Sequence, residues 1–441
     1  MSGSMTRRAV RLAAAVVGTV GLTAVAACSG EGEATEPSAG TPSEPVDLRM
    51  TTWSSNEEHQ AIFTEIADAY IAENPDLVSS IEFDGIVEPG QYVPTVTTQI
   101  AGGESPDLMW ASEAYAAEFV QSGVFADLGP VLSETEGYDV EDLVPGAMEL
   151  WSEGESIYAY PFSTSPFGIY VNLDLIEAAG QPDPRELMST GDWTYDKLVE
   201  VAAATSASED VAGLHFSAED PYATPIDSMG PIALAWGARP WSEDGTRCEF
   251  TSPESAAFYD WFHTQVFDTN AIPGPGETAD FTSGQSAFMM GQLSLSAGFA
   301  DAFAWDFLPL PAGPAGTVPV IGQGAVGVVA NSAHPEIAAH FLAYFTNPEN
   351  AAKLAQFFPP PRASLLEVGT LSEAAPALNE EQIQGTVIDQ TLEATTKPGH
   401  ANLSRMVDTI RAAMDPMWTP DADVEAVLTD VCSQIEPSLG Q

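Results

Sequence analysis

Residues 156–173, SIYAYPFSTSPFGIYVNL, form a charge-free run in a 441-residue chain that carries 64 acidic and 13 basic side chains, a formal net charge of −51. Tyr158, Tyr160, Phe162 and Phe167 offer flat apolar faces. Ser163, Thr164 and Ser165 add three successive hydroxyls between Pro161 and Pro166. Aromatic rings stack on the C–H faces of a sugar and fixed hydroxyls pair with its hydroxyls, so the combination suits a neutral polyhydroxylated ligand. The same residues also suit a buried strand entry whose serines satisfy turns. Residues 168–173 read as a strand. The prolines argue against a central strand just before it, so the chain should bend or cross between units there.

Two more groups lie where strands end. Residues 46–53 alternate like a strand, and Trp53, Ser54, Ser55 and Asn56 follow its C-terminal end, where open α/β sheets bind ligands. Residues 107–110 form a second short strand, with Trp110 and Glu113 just past it. A packing tryptophan and a helix-start carboxylate would explain that pair equally well. Metal chemistry has little support. The six histidines (59, 215, 263, 334, 340, 400) are dispersed, and no CxxC, HExxH or GxSxG motif occurs. No cofactor is expected.

The elements that hold these residues alternate. A capping-box pattern at Ser55 and Glu58 opens a helix whose apolar face is Ile62, Ile66, Ala69 and Tyr70, ended by Asn74-Pro75. Further strands are expected at 81–86, 213–216, 306–310, 326–329 and from 288, with a hairpin at 241–250 around Asp244-Gly245. Helices are expected at 93–101, 114–122, 143–151, 173–180, after Asp192 or Thr194, and at 253–267. Others follow at 334–345, 348–357, 379–383, 400–414 and 423–435. About 395 residues exceed one ordinary core, so two α/β lobes are expected.

The first 27 residues read as a leader. Arg7, Arg8 and Arg11 precede an apolar run, and Val25-Ala26-Ala27-Cys28 matches the lipobox of bacterial lipoproteins, in which Cys28 is lipidated. Residues 28–46 then read as a lipidated cysteine and a disordered tether, with an end-to-end distance of roughly 25 Å. Three of the 13 basic residues leave with the leader, so the mature surface is strongly acidic. Such a surface repels nucleic acid and anionic headgroups. Cys248 and Cys432 remain, and outside the cytoplasm a pair of cysteines favours a disulfide over two free thiols.

Taken together, several stretches resemble the extracellular solute-binding proteins that serve sugar ABC transporters, the maltose-binding-protein-like family. They are GGESPDLMWA (102–111), YAYPFSTSPFGIYVNLDLIEAAG (158–180), WTYDKL (193–198), FTSGQSAF (281–288), LPLPAGPAG (308–316) and the alanine-rich helix after Asn331. The resemblance implies a two-lobed periplasmic-binding-protein-like α/β fold of type II, with a hinge of crossing segments and an interlobe cleft. Lobe one would comprise 47–161 and 300–360, and lobe two 162–299 and 361–441, with crossings near 160–162, 299–305 and 359–362.

Carried over position by position, the ligand-binding set is Trp53, Ser54, Asn56, Glu57, Trp110, Glu113 and Gln323 from lobe one, and Phe162, Ser163 and Ser165 at the crossing. Lobe two adds Asp220, Tyr222, Trp236, Gln292, Ser294, Arg362 and His400. Trp236 sits in an apolar run that favours a core role, and Arg362 has many carboxylates to pair with. The family's tryptophan after FTSGQSAF is missing, which leaves Phe299 or a narrower, more polar pocket in its place. The implied function is binding without catalysis: a monomeric lipoprotein capturing a sugar or oligosaccharide for membrane permease subunits. Rival readings are a glycosidase with paired carboxylates, or a receptor for a polyamine, a peptide or ferric iron.

Overall fold

The computed structural model describes residues 44–440 apart from 55, 87–91, 210, 218–219, 299–302 and 356. The leader, Cys28 and most of the tether lie outside the described residues, as do Ser55, Phe299 and most of the expected second crossing.

Eleven strands occur among the described residues: β1 (Val46–Thr52), β2 (Val78–Gly85), β3 (Leu108–Ser112), β4 (Ser152–Glu153), β5 (Ser156–Ile157) and β6 (Tyr160–Asn172), then β7 (Ala212–Phe216), β8 (Ser286–Gln292), β9 (Trp305–Pro309), β10 (Val320–Val328) and β11 (Thr395–Thr396). β4 and β5 make a small hairpin. The others form one sheet in the order β2-β1-β3-β10-β6-β8-β7, with β11 beside β10 and β9 beside β6. β1 runs parallel to β2 and β3, and β7 parallel to β8, while β6 and β10 are antiparallel to each other.

Two large apolar cores flank this sheet. The first gathers Leu48, Met50, Phe63, Tyr70, Trp110, Trp151, Val326 and Phe341, and the second Ile169, Leu214, Trp236, Phe258, Phe288 and Leu428. A third, smaller core joins Val144 and Ala147 to Phe281, Phe307 and residues between Leu366 and Ile388. β6 runs through all of it. Its first half, to Pro166, pairs with β10; from Phe167 it pairs with β8, and from Gly168 also with β9.

That continuity corrects the expectation that the prolines exclude a central strand. Tyr160 pairs with Val326 and Ser163 with Gly324, so Pro161 and Phe162 together face Ala325 in a bulge, where one missing N–H leaves no gap in the ladder. Pro166 stands where β6 exchanges partners. Proline is tolerated at both places because neither requires a regular ladder donor.

Helix Glu57–Glu73 is capped by Asn56, whose Oδ1 accepts from Glu58 N at 2.8 Å, so the cap lies one residue beyond the expected Ser55. Its buried face is Phe63, Ile66, Ala67 and Tyr70, turned slightly from the expected stripe. The helix at Pro253–Phe267 has the expected bounds, and Trp241 bridges Cys248 in the expected hairpin. Cys248 and Cys432 form a disulfide with Cα atoms 5.4 Å apart, tying that hairpin to helix Val424–Ile435. The expected helix at 379–383 runs on into a π-helical turn over residues 383–388.

Candidate ligand site

A cavity of about 910 Å³ opens where the two large cores meet. Both halves of the sheet aim at it. β1 and β3 end in Thr52–Trp53 and Ser112–Glu113, and β7 and β8 end in Phe216–Ser217 and Gln292. The C-terminal ends of parallel strands thus line it from both sides, as the general rule for open α/β sheets requires.

One wall is aromatic. Trp53, 37 % exposed, sets its ring edge-on to Trp110 at 4.8 Å and to Tyr92 at 5.3 Å. Trp110 is itself buried against Phe162 at 4.5 Å, and Phe162 against Phe358 at 5.1 Å. His59 lies 4.7 Å from each of Phe357 and Phe358 and shares a 2.7 Å hydrogen bond between its Nδ1 and Ser54 Oγ. Burial lowers its pKa, with Glu58 opposing. The floor is glycine by necessity. A Cβ at Gly322 would strike Gln292 Nε2 at 2.0 Å, and one at Gly324 would crowd Trp53 at 3.1 Å.

The facing wall is polar. Ser163, Gln292 and Ser294 line the cavity, and no hydrogen bond among the described residues engages their side chains. Beside them is a buried ion cluster. Lys397 Nζ lies 3.0 Å from Glu113 Oε1, contacts Asp227 Oδ1 and stands 5.2 Å over the Phe167 ring. Burial opposes the Lys397 charge, but the two carboxylates outweigh it and hold the ammonium protonated. Burial and Asp227 push Glu113 up while Lys397 pulls it down. Glu113 Oε2 accepts from Gln323 N at 2.6 Å. The Gln323 amide is taken by Trp151 Nε1 at 3.1 Å and by Ala147 O at 2.8 Å.

Of the residues carried over from the family layout, the cavity is lined by Trp53, Asn56, Trp110, Glu113, Phe162, Ser163, Gln292, Ser294 and Gln323. Glu113 and Gln323 build the wall, since their polar atoms are engaged within the protein. The structure does not bring the others to the lining. Ser54 is off the lining with its Oγ bonded to His59, and Glu57 is an exposed helix-start residue, with Glu58 at the lining instead. Ser165 is buried under Ser294, whose N–H reaches its Oγ at 3.4 Å. Asp220 holds its own turn by accepting from Tyr222 N at 2.9 Å.

Tyr222 donates to Pro273 O and packs on Trp418, and Trp236 is buried 4.5 Å from Trp261. Arg362 is fully buried 4.7 Å over Tyr138 and donates to the carbonyls of Asp139 and Thr346 at 3.1 Å, so it anchors its own segment to the first core. His400 Nδ1 accepts from Asn402 N at 2.9 Å, which leaves Nε2 to donate to Gly245 O at 2.9 Å. These four side chains serve packing or turns rather than the cavity.

Lys397, Asp227, Glu58, His59, Phe167, Ser217, Ser296, Phe357 and Phe358 line the cavity without having been singled out as ligand residues from sequence, although Phe167 stood out as an aromatic face. Only Lys397 had a usable signal, as one of few cations in so acidic a chain.

The family model described as bacterial extracellular solute-binding protein matches residues 65–380. The chain belongs to that family. An uncharacterized lipoprotein from the oleD 5′ region of Streptomyces antibioticus is 24 % identical over 390 residues, covering 83 % of this chain and 80 % of that one. An ABC substrate-binding protein from Listeria monocytogenes, solved in complex with cycloalternan, has a TM-score of 0.76 at 21 % identity and covers 90 % of this chain and 99 % of its own. Maltose-bound T. maritima MalE3 gives 0.72 at 20 % identity, with 89 % and 100 % covered. This solute-binding family shares the two-lobed α/β fold of MalE-like proteins, and its members bind rather than transform their ligands.

Proposed function

We propose that this solute-binding protein captures a neutral sugar or oligosaccharide in the cavity and delivers it to the permease subunits of an ABC importer. The observation that carries this reading is the pairing of two walls across about 910 Å³: an aromatic one of Trp53, Trp110 and Phe162, and a polar one whose Ser163, Gln292 and Ser294 side chains are free to bond a ligand. A volume of this order is typical of small-molecule sites. Stacking supplies area, and the free hydroxyl and amide groups supply direction. Structural neighbours that hold cycloalternan and maltose support the same class.

In this reading residues 47–161 and 300–360 form one lobe, and 162–299 and 361–441 the other, closing on ligand about the crossing strands. Closure follows from ligand contact with both lobes. Cys28 carries the lipid and 28–46 the tether, so a monomer works at the extracytoplasmic face of the cell membrane. Relatedness to a Streptomyces lipoprotein supports the anchor.

Tryptophan fluorescence tests the ligand class. Titration with neutral oligosaccharides should change the emission, and ferric iron should not. A thermal shift with spermidine and none across a broad carbohydrate panel overturns the sugar reading. Turnover of a chromogenic glycoside overturns binding without catalysis.

A further inference from the structure

Charge is distributed unevenly around the cavity. Glu58, Glu113 and Asp227 line it against Lys397 and His59. The half-buried His59 ring favours its neutral form, because desolvation penalises the imidazolium. The Lys397 ammonium is already matched by two carboxylates, Glu113 and Asp227. Both Glu113 oxygens face donors, Lys397 Nζ and Gln323 N, which favours the ionised carboxylate against the upward push of burial, and the cluster of three then keeps one negative charge in excess.

That excess has a definite place. Both Glu113 oxygens are engaged, Oε1 by Lys397 and Oε2 by Gln323 N. Asp227 gives Oδ1 to Lys397, and no donor among the described residues reaches its Oδ2. Its side chain stays 41 % exposed on the cavity wall. Lys397, with a side chain only 8 % exposed and lying over Phe167, has little capacity left for a third anion.

We propose that Asp227 is the specificity-determining charge of this site: its open carboxylate oxygen accepts from ligand hydroxyls or from a basic nitrogen, and turns away solutes bearing carboxylate, phosphate or sulfate. Lys397 is a positioning residue that fixes the Asp227 carboxylate. The assignment rests on the cavity being the ligand site for a sugar. It also goes further, because it divides carbohydrates by charge. Neutral and amino-bearing sugars are admitted, and uronates, aldonates and sugar phosphates are excluded.

The acidic surface as a whole would also repel anions, but at 1 M salt the screening length is roughly 3 Å, so only contact-range repulsion survives. Salt thus separates the coat from the site.

Maltotriose and lactose can each be converted at the reducing end to the alditol, the aldonate and the 1-amino-1-deoxyalditol. These share one open-chain skeleton and differ only in carrying zero, negative or positive charge. Calorimetric titration of the mature protein is run at 0.15 M and 1 M NaCl, with spermidine as a non-sugar cation. The aldonate should bind about tenfold more weakly than its alditol at both salts, and Asp227→Asn should narrow that ratio to below about threefold. The same substitution should weaken the aminated sugar more than the alditol. Asp227→Ser, with thermal melting as a check on folding, repeats the test without the amide.

An aldonate that matches its alditol at high salt, or a ratio unchanged in both variants, overturns the assignment. Sugar binding without charge discrimination leaves the sugar reading standing and removes this one. Spermidine binding that weakens in Asp227→Asn, with no response to any sugar, overturns the sugar reading and this assignment with it.

Discussion

The two walls of the cavity are built by opposite means. The aromatic wall grows from neighbouring strands of one core: Trp53 follows β1, Trp110 lies in β3, and β1 and β3 are hydrogen-bonded neighbours. The charged wall is assembled from remote parts of the chain. Glu113 follows β3, Asp227 sits in helix Pro225–Ala233 of the second core, and Lys397 comes just after β11. Packing holds the first wall, and charge pairing holds the second. The aromatic wall should therefore tolerate changes of pH and fail on loss of volume. The charged wall should tolerate small changes of volume and fail on loss of one charge.

Trp110→Ala should give the largest effect and would break the comparison most directly. Trp110 is 1 % exposed and touches Trp53, Phe63, Phe162 and Phe358. Truncation should destabilise the fold by about 3–5 kcal/mol in denaturant unfolding and weaken ligand binding as well, because it removes the backing of the platform. A loss below about 1 kcal/mol would show that the aromatic wall is not held by packing.

Lys397→Met should cost about 3 kcal/mol, since it leaves Glu113 buried with an unpaired charge opposite Asp227. The sign of its pH dependence is specific. Burial and Asp227 already raise the Glu113 pKa above its usual 4.5, and removing the ammonium raises it further. A carboxyl with a raised folded-state pKa contributes stability at low pH that is lost as pH rises through that value. The deficit of Lys397→Met relative to the native chain should therefore shrink on acidification from pH 7 towards 5. A deficit independent of pH would mean that lost packing of the lysine stem, not charge, explains it.

Trp53→Ala sharpens the contrast from the ligand side. Its ring is more than a third exposed, so stability should change by less than about 1 kcal/mol while affinity for a neutral sugar falls about tenfold. Equal affinity in the variant would transfer the stacking role to another ring, with Phe162 next in line.

The same contrast explains what could be read from sequence. Trp53 and Trp110 stood out because a strand end is a local pattern whose position in a parallel sheet follows from the fold class, and Phe162 because it belongs to the charge-free aromatic run. The disulfide was legible from count and compartment alone. The Lys397–Asp227 pair was not, because its meeting depends on tertiary path: the scarcity of cations marks Lys397, but nothing local names its partner. Tyr222, Trp236, Arg362 and His400 fail for a related reason. Carrying a family position over fixes where a residue falls along the chain but not which way its side chain turns, and all four lie in turns, loops or a short 3₁₀ helix. The prolines of β6 misled because propensity rules assume a regular ladder, and both lie where the ladder is interrupted.

The smallest effect expected lies inside the aromatic wall. His59 is wedged between Phe357 and Phe358, and desolvation lowers its pKa below the usual 6.5. A histidine with a depressed folded-state pKa favours folding while neutral, so its contribution is complete above about pH 6.5 and is lost as pH falls towards the folded value. The ring is about half buried and solvent screens it, so the effect is a modest decline in melting temperature between pH 7 and 5. His59→Gln removes the titrating group and should flatten that part of the profile. Parallel profiles for the two proteins in this window would place the proton uptake elsewhere, and would leave the aromatic wall insensitive to pH throughout.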